Sequence, residues 1–183
     1  MKQSELNKIL KLHKKWINDE EDGVKADLSD LNLSGLNLSN ADLSYANLEG
    51  AKLNITNLTN ADLRYAKLNN AILNGANLSN ADLSYANLVC TNLISADLRN
   101  ANLNTVNLNY ANLSYANLRY VNLVNANLSE TNLKGVDLSY AFLNDANLSY
   151  ADLTDTILTN TNLSNIVLKY ANLSGASLYN TIF

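Results

Sequence analysis

A leucine recurs at every fifth position from Leu28 to Leu178, and Phe183 takes the next such position. We call each of these large residues the centre of a five-residue unit, which gives thirty-two consecutive units without an insertion. Two residues before the centre lies a small residue in twenty-nine units, and it is alanine in twenty of them. The residue directly before the centre is asparagine or aspartate in twenty-four units. So regular a repeat predicts a solenoid.

A period of five fits neither a helix nor a straight strand. On an α-helix five residues advance about 500°, so successive leucines would form no stripe. On a straight strand an odd period would send alternate leucines to opposite faces. Both conflicts disappear if every unit turns a corner: the small residue and the centre point inward from a short extended segment, and the next two residues make the turn.

The outward residues indicate how many corners make one coil. The stretch SNADLSYANL occurs at residues 39–48 and again at residues 79–88, and tyrosine recurs at Tyr45, Tyr65 and Tyr85. A period of twenty corresponds to four units per coil, whereas a three-sided coil would show a period of fifteen. The sequence therefore predicts a four-sided coil of about eight turns, roughly 38 Å long at a strand spacing of about 4.8 Å.

The units, such as Ala41-Asp42-Leu43-Ser44-Tyr45, resemble the tandem A(D/N)LXX motif of the pentapeptide-repeat family. The resemblance covers residues 26–183. It implies an all-β fold, a right-handed quadrilateral β-helix, for this domain.

The two ends of the chain are unlike the repeats. Residues 1–25 are expected to form a short capping α-helix, over 4–18 with Ser4 as N-cap, and an acidic turn. The helix is interpreted as a lid over the first coil, with His13 packed on its apolar side; a membrane or partner helix is the alternative, since it is basic. At the other end the last layer lacks such a lid. A homodimer through the C-terminal ends is therefore predicted, carried by Leu168, Leu173, Leu178, Ile182 and Phe183.

Two outward columns are candidate partner surfaces. Like charges are concentrated where Asp42, Asp62 and Asp82 stack, with Arg64 expected to compensate them. A solvated or hydrogen-bonded column is the main interpretation, and a cation site is the alternative. The possible partner surface comprises this column, the tyrosine column and one apolar residue in a slot that normally holds asparagine: Asp42, Asp62, Asp82, Tyr45, Tyr65, Tyr85 and Phe142.

No residues assemble into a catalytic, cofactor-binding or metal-binding motif. The net charge of −4 disfavours direct binding of nucleic acid. No apolar run resembles a secretion signal or a membrane span, and the single Cys90 fits a reducing compartment, so a cytoplasmic location is expected.

Two functions compete. The main hypothesis is a non-enzymatic interaction scaffold with an unidentified protein partner. The alternative comes from the resemblance: some members of the family mimic duplex DNA and protect DNA gyrase from quinolones. DNA of this length carries about 22 charges, whereas residues 26–183 hold twelve acidic and seven basic side chains. The charge deficit favours the scaffold.

Overall fold

The protein consists of one α-helix followed by a four-sided coil. This computed structural model describes residues 1–183, and its helix, α1, spans Gln3–Ile17. From Asp27 to Ile182, the residue before each centre pairs in parallel with the residue twenty positions further along. Each face is a single bridge pair long, so no face contains an extended strand. This pairing confirms a β-helix with four units per coil.

Each corner is a β-turn that closes on the centre of its unit. The Leu31 N–H donates to the Leu28 carbonyl at 3.3 Å, and the equivalent bond recurs around the coil. The second residue after the centre has a positive φ, between 55° and 74°, at all thirty-one corners. Only five of these residues are glycine. For any other residue the left-handed conformation costs about 1–2 kcal/mol, so the coil must offset this cost elsewhere.

The asparagine or aspartate before each centre stabilises the turn. The Ser39 N–H donates to Oδ1 of Asn37 at 3.0 Å, and this bond between a side chain and the backbone two residues on recurs along the chain. In several columns the amide also joins neighbouring coils: Asn122 Nδ2 donates to Asn102 Oδ1 at 3.0 Å. Short polar side chains are favoured here because they hydrogen-bond the backbone of their own turn.

The leucine centres fill the interior. From Leu28 to Leu163 every centre is at most 3% exposed, and the small residues pack between them in one continuous core. Threonine replaces alanine without leaving a buried polar group unpaired. The Thr56 hydroxyl donates to the Leu33 carbonyl at 3.0 Å, which satisfies the requirement for a buried donor.

Corner side chains lean toward the following coil, and three glycines accommodate such a side chain. A Cβ at Gly135 would lie 2.8 Å from two ring carbons of Tyr115, the corner residue one coil earlier. At Gly35, by contrast, no atom lies within 4 Å of that position, and only its φ of 70° favours glycine.

Helix α1 covers the open end of the first coil. Leu6 is fully buried, and Ile9 and Leu10 pack against the core. The prediction of Ser4 as N-cap is wrong: Lys2 holds that position, and its N–H donates to the Glu5 carboxylate at 2.8 Å. With fifteen residues and a lysine-rich outer face, α1 cannot span a bilayer, and the chain has no other helix.

Two side chains of α1 also pair with the backbone edge of the first coil. The Gln3 carboxamide accepts the Asn37 N–H and donates to the Asn37 carbonyl, both at 2.9 Å. The buried His13 ring accepts the Ala26 N–H on Nδ1 and donates from Nε2 to the Ser44 carbonyl, both at 3.1 Å. His13 therefore makes hydrogen bonds to the backbone as well as packing contacts, and this pair of bonds requires the neutral ring.

We expect acid to weaken the docking of α1. Burial lowers the pKa of His13 below its usual 6.5, and the nearby Asp42 charge opposes this only in part. When the lid is undocked, His13 returns to its usual pKa and therefore binds a proton at a higher pH than it does in the docked lid. The free energy of unfolding consequently falls as the pH drops below about 6.5 and does not change with this proton above that pH. Urea unfolding followed by Trp16 fluorescence measures this. The variant His13→Gln should be less stable than the wild type, and its free energy of unfolding should not change between about pH 5 and 7.5. If this variant kept the pH dependence of the wild type, the prediction would be contradicted.

Candidate interaction surfaces

The first candidate surface is an aromatic column along one corner. The rings of Tyr45, Tyr65 and Tyr85 stack with centroids 4.9 Å apart and planes within 5°. Trp16 of α1 extends the column, with its ring edge-to-face against Tyr45 at 6.3 Å. All three tyrosines have left-handed φ values, which direct their side chains outward from the corner, and each is about half exposed. The column therefore presents ring edges and hydroxyl groups at a fixed spacing.

The acidic column lies on the face that leads into this corner. Asp42 accepts the N–H and hydroxyl of Ser44, and Asp82 accepts the Ser84 N–H at 2.9 Å. Between them, Asp62 forms a two-pronged pair with Arg64, with Nε 2.9 Å from Oδ1. The column is therefore hydrogen-bonded to its own turns and carries one compensating cation.

The pairing with Arg64 decides the protonation of Asp62. Burial alone would raise the pKa of Asp62, but the hydrogen bonds and charge of Arg64 outweigh it and lower the pKa below the usual 3.8. The hydrogen bonds with Asp62, together with the charges of Asp42 and Asp82, raise the pKa of Arg64. Asp62 and Arg64 therefore stay ionised at neutral pH.

A shallow groove joins α1 to both columns. Its volume is about 330 Å³, and it is lined by Trp16, Ile17, Asp42, Ser44, Tyr45, Arg64 and Tyr65. Tryptophan, tyrosine and arginine are the side chains most enriched at protein–protein contacts. Sequence reasoning missed this groove, because its existence depends on where α1 lies against the first coils.

Phe142 lies on the same face as the acidic column but belongs to a different surface. It is 53% exposed and pairs between Asn122 and Asn162, three coils beyond Tyr85 and so about 14 Å away along the rod. Its nearest aromatic neighbour in the chain, Tyr140, stacks on Tyr120 at 4.9 Å, and Arg119 lies within 5.8 Å of both rings. Sequence reasoning missed the stacked pair of Tyr120 and Tyr140, although the two residues lie twenty positions apart in the sequence and therefore on the same corner of neighbouring coils.

The C-terminal coil leaves its last layer uncovered. Leu168 and Leu173 are half-buried, whereas Leu178, Ile182 and Phe183 are 41%, 59% and 70% exposed. The structure thus brings together the residues assigned to a dimer contact and places them at one end of the rod.

The remaining reactive residues do not assemble into a site. Cys90 is an exposed corner residue with a free thiol. His13 is buried, with both ring nitrogens engaged by the backbone. No three histidine, cysteine or acidic side chains are grouped so that they could hold a metal ion.

The sequence and fold define a family. The profile of pentapeptide repeats matches the chain in overlapping segments that together cover residues 24–183. The chain belongs to the pentapeptide-repeat family, and no enzyme family is indicated. Among curated proteins none matches it.

Several solved structures are similar to the chain. HetL, a pentapeptide-repeat protein involved in the regulation of heterocyst differentiation in the cyanobacterium Nostoc, is 30% identical; the match covers 92% of this chain and 93% of HetL, with a TM-score of 0.42. QnrB1, a plasmid-mediated fluoroquinolone resistance protein, is 20% identical over 82% of this chain and 88% of its own, with a TM-score of 0.40. Rfr23 from the cyanobacterium Cyanothece is 36% identical over 58% and 63% of the two chains, with a TM-score of 0.27.

Arg64→Met is expected to destabilise the protein more than Arg99→Met at low salt. Arg99 pairs with Asp97 in the same two-pronged geometry, but asparagines flank Asp97 in its column, whereas Asp42 and Asp82 flank Asp62. Removing Arg64 leaves three stacked carboxylates, so the pKa of Asp62 should rise. Urea unfolding of both variants measures the difference, which should vanish at about 1 M salt, where charges are screened within about 3 Å. Equal losses at low salt would contradict it.

Proposed function

We propose that this protein is a non-enzymatic scaffold that binds a protein partner along its first three coils. The observation that carries the proposal is the aromatic column of Tyr45, Tyr65 and Tyr85, which continues into Trp16 and runs beside the acidic column. Stacked rings on a β-helix are already ordered, so a partner gains contact area at little cost in side-chain entropy. The groove beside Trp16 offers a place for an anchoring side chain.

Affinity capture with variants tests the scaffold. The double variant Tyr65→Ser/Tyr85→Ser should lose the partner that the wild-type protein retains, because it removes two of the three stacked tyrosines. Tyr150→Ser/Tyr170→Ser is the matched control, since those tyrosines also stack at 4.9 Å but on another corner. The proposal fails if both variants retain the same proteins, or if only the control loses one.

Purified DNA gyrase serves as a defined arm of this test. The DNA-mimic alternative requires the protein to rescue quinolone-inhibited supercoiling. We expect no rescue, because the coil carries only a small excess of acidic side chains. We also propose a cytoplasmic location, supported by the free thiol of the exposed Cys90.

We further propose that two copies associate through their C-terminal ends. Leu178, Ile182 and Phe183 expose apolar surface there, and Leu168 and Leu173 are half-buried in the same coil. A two-fold axis would bury both final layers against one another. The cross-section of the coil limits the contact area, so the affinity should be moderate.

Light scattering tests the dimer. The wild-type protein should approach twice 20.0 kDa at high micromolar concentration. Phe183→Asp should shift the mass to that of a monomer and leave the far-UV circular dichroism unchanged, because it places a charge in the contact without disturbing the buried centres. A wild-type protein that stays monomeric rules the dimer out.

A further inference from the structure

The C-terminal edge of the coil carries unpaired backbone groups in a regular pattern. Between interior coils, the N–H groups of each centre and each corner donate to carbonyls of the next coil, and the carbonyl of each small residue accepts an N–H from it. In the last coil these groups have no partner. The free donors include the N–H groups of Leu168, Tyr170, Leu173, Gly175, Leu178 and Asn180.

The N-terminal edge has the complementary pattern, but α1 occupies it. The carbonyls of Asn32, Asn37 and Ser44 face this edge, as the equivalent carbonyls of every later coil face the coil before it. The Met1 ammonium group and the side chains of α1 pair with them instead. Helix α1 therefore takes the place of a preceding coil.

We propose that α1 masks a docking edge for the C-terminal edge of a second copy of this chain, so that displacement of α1 permits head-to-tail growth. The inference goes beyond the scaffold function and does not depend on it. The two edges meet in the same parallel register that joins every pair of coils within the chain. Such a contact is heterologous and does not close, so it generates rods of increasing length.

The number of hydrogen bonds explains why the proposed partner of each edge is a coil of a second copy of this chain. An interior coil step such as that between residues 66–85 and 86–105 contains twelve backbone hydrogen bonds. The N-terminal segment supplies five hydrogen bonds to the first coil, through Met1, Gln3 and His13. One of them, from the Ala26 N–H to His13, takes the place of a turn bond within a coil, and the other four take the place of bonds between coils. A lipid surface would satisfy none of the free N–H groups at the C-terminal edge, because hydrocarbon offers no hydrogen-bond acceptor. A second coil satisfies them all.

The lid also accounts for a hazard that every solenoid faces. An exposed coil edge is a template for pairing with another chain, and proteins cover or charge such edges to prevent it. Only one of the two edges needs a cover to stop head-to-tail growth. The dimer proposed above would use the other edge by a two-fold contact, so it can exist while α1 remains docked. Head-to-tail growth needs that same C-terminal edge and therefore competes with the dimer once α1 is released.

The test releases the lid in the protein of residues 1–183. Gln3→Leu/His13→Leu removes four of the five hydrogen bonds while preserving apolar side chains, and Leu6→Asp is a second, independent lid variant because Leu6 is fully buried. Lys8→Ala, on the exposed face of α1, is the matched control. Hydrogen exchange of the α1 amides reports whether the lid is released. Analytical ultracentrifugation and electron microscopy then report the size and shape of the particles.

A released lid should give unbranched rods that exceed the length of two copies and lengthen with concentration. Lys8→Ala should behave as the wild type does. Adding Phe183→Asp or Leu178→Lys to the released variants should abolish growth, because either charge disrupts the C-terminal edge. Two results would overturn the proposal: released variants that stay at the wild-type mass, or growth that persists with both C-terminal charges, which would indicate non-specific aggregation. Because the readout is rod growth, failure of the scaffold proposal would leave it unaffected.

Discussion

The backbone pairing between residues twenty positions apart supports every other feature of this protein. Leu28 donates to the Asn47 carbonyl and Asn47 donates back to Ala26, and this exchange repeats up to Ile182. The pairing holds each unit against the unit above, so that thirty-one corners can remain in a left-handed conformation. It also sets the 4.9 Å spacing of the stacked tyrosines. The surface columns are therefore a direct consequence of the backbone ladder.

Because each coil pairs with its neighbours, the two ends pose a separate physical problem. Covering the core requires apolar side chains, which Leu6, Ile9 and Leu10 supply at the N-terminal end. Satisfying the edge requires polar groups in the positions of missing peptide groups, which Gln3 and His13 supply. A cover that meets both needs is specific to one edge. This is why the lid bears on assembly as well as on stability.

The repeat predicted the fold because its geometry follows from spacing alone. A period of five with inward leucines requires a corner in each unit, and the recurrence of Tyr45, Tyr65 and Tyr85 at twenty gave the number of sides. The stacking of these tyrosines and the pairing of Arg64 with Asp62 could be anticipated for the same reason. What failed depended on contacts outside the repeat. Ser4 was not the N-cap, and the polar role of His13 could not be read from a helical pattern that shows only apolar spacing.

Native-state hydrogen exchange measured residue by residue tests the central claim most directly, in a dilute sample of the wild-type protein. The account predicts slow exchange for the Leu28 amide and for the centre amides of the middle coils, such as Leu103, since each donates to a carbonyl in the next coil. It predicts fast exchange for the amides of Leu168, Leu173 and Leu178, which have no partner. Protection of these three amides equal to that of Leu103, or fast exchange at Leu103 itself, would contradict it.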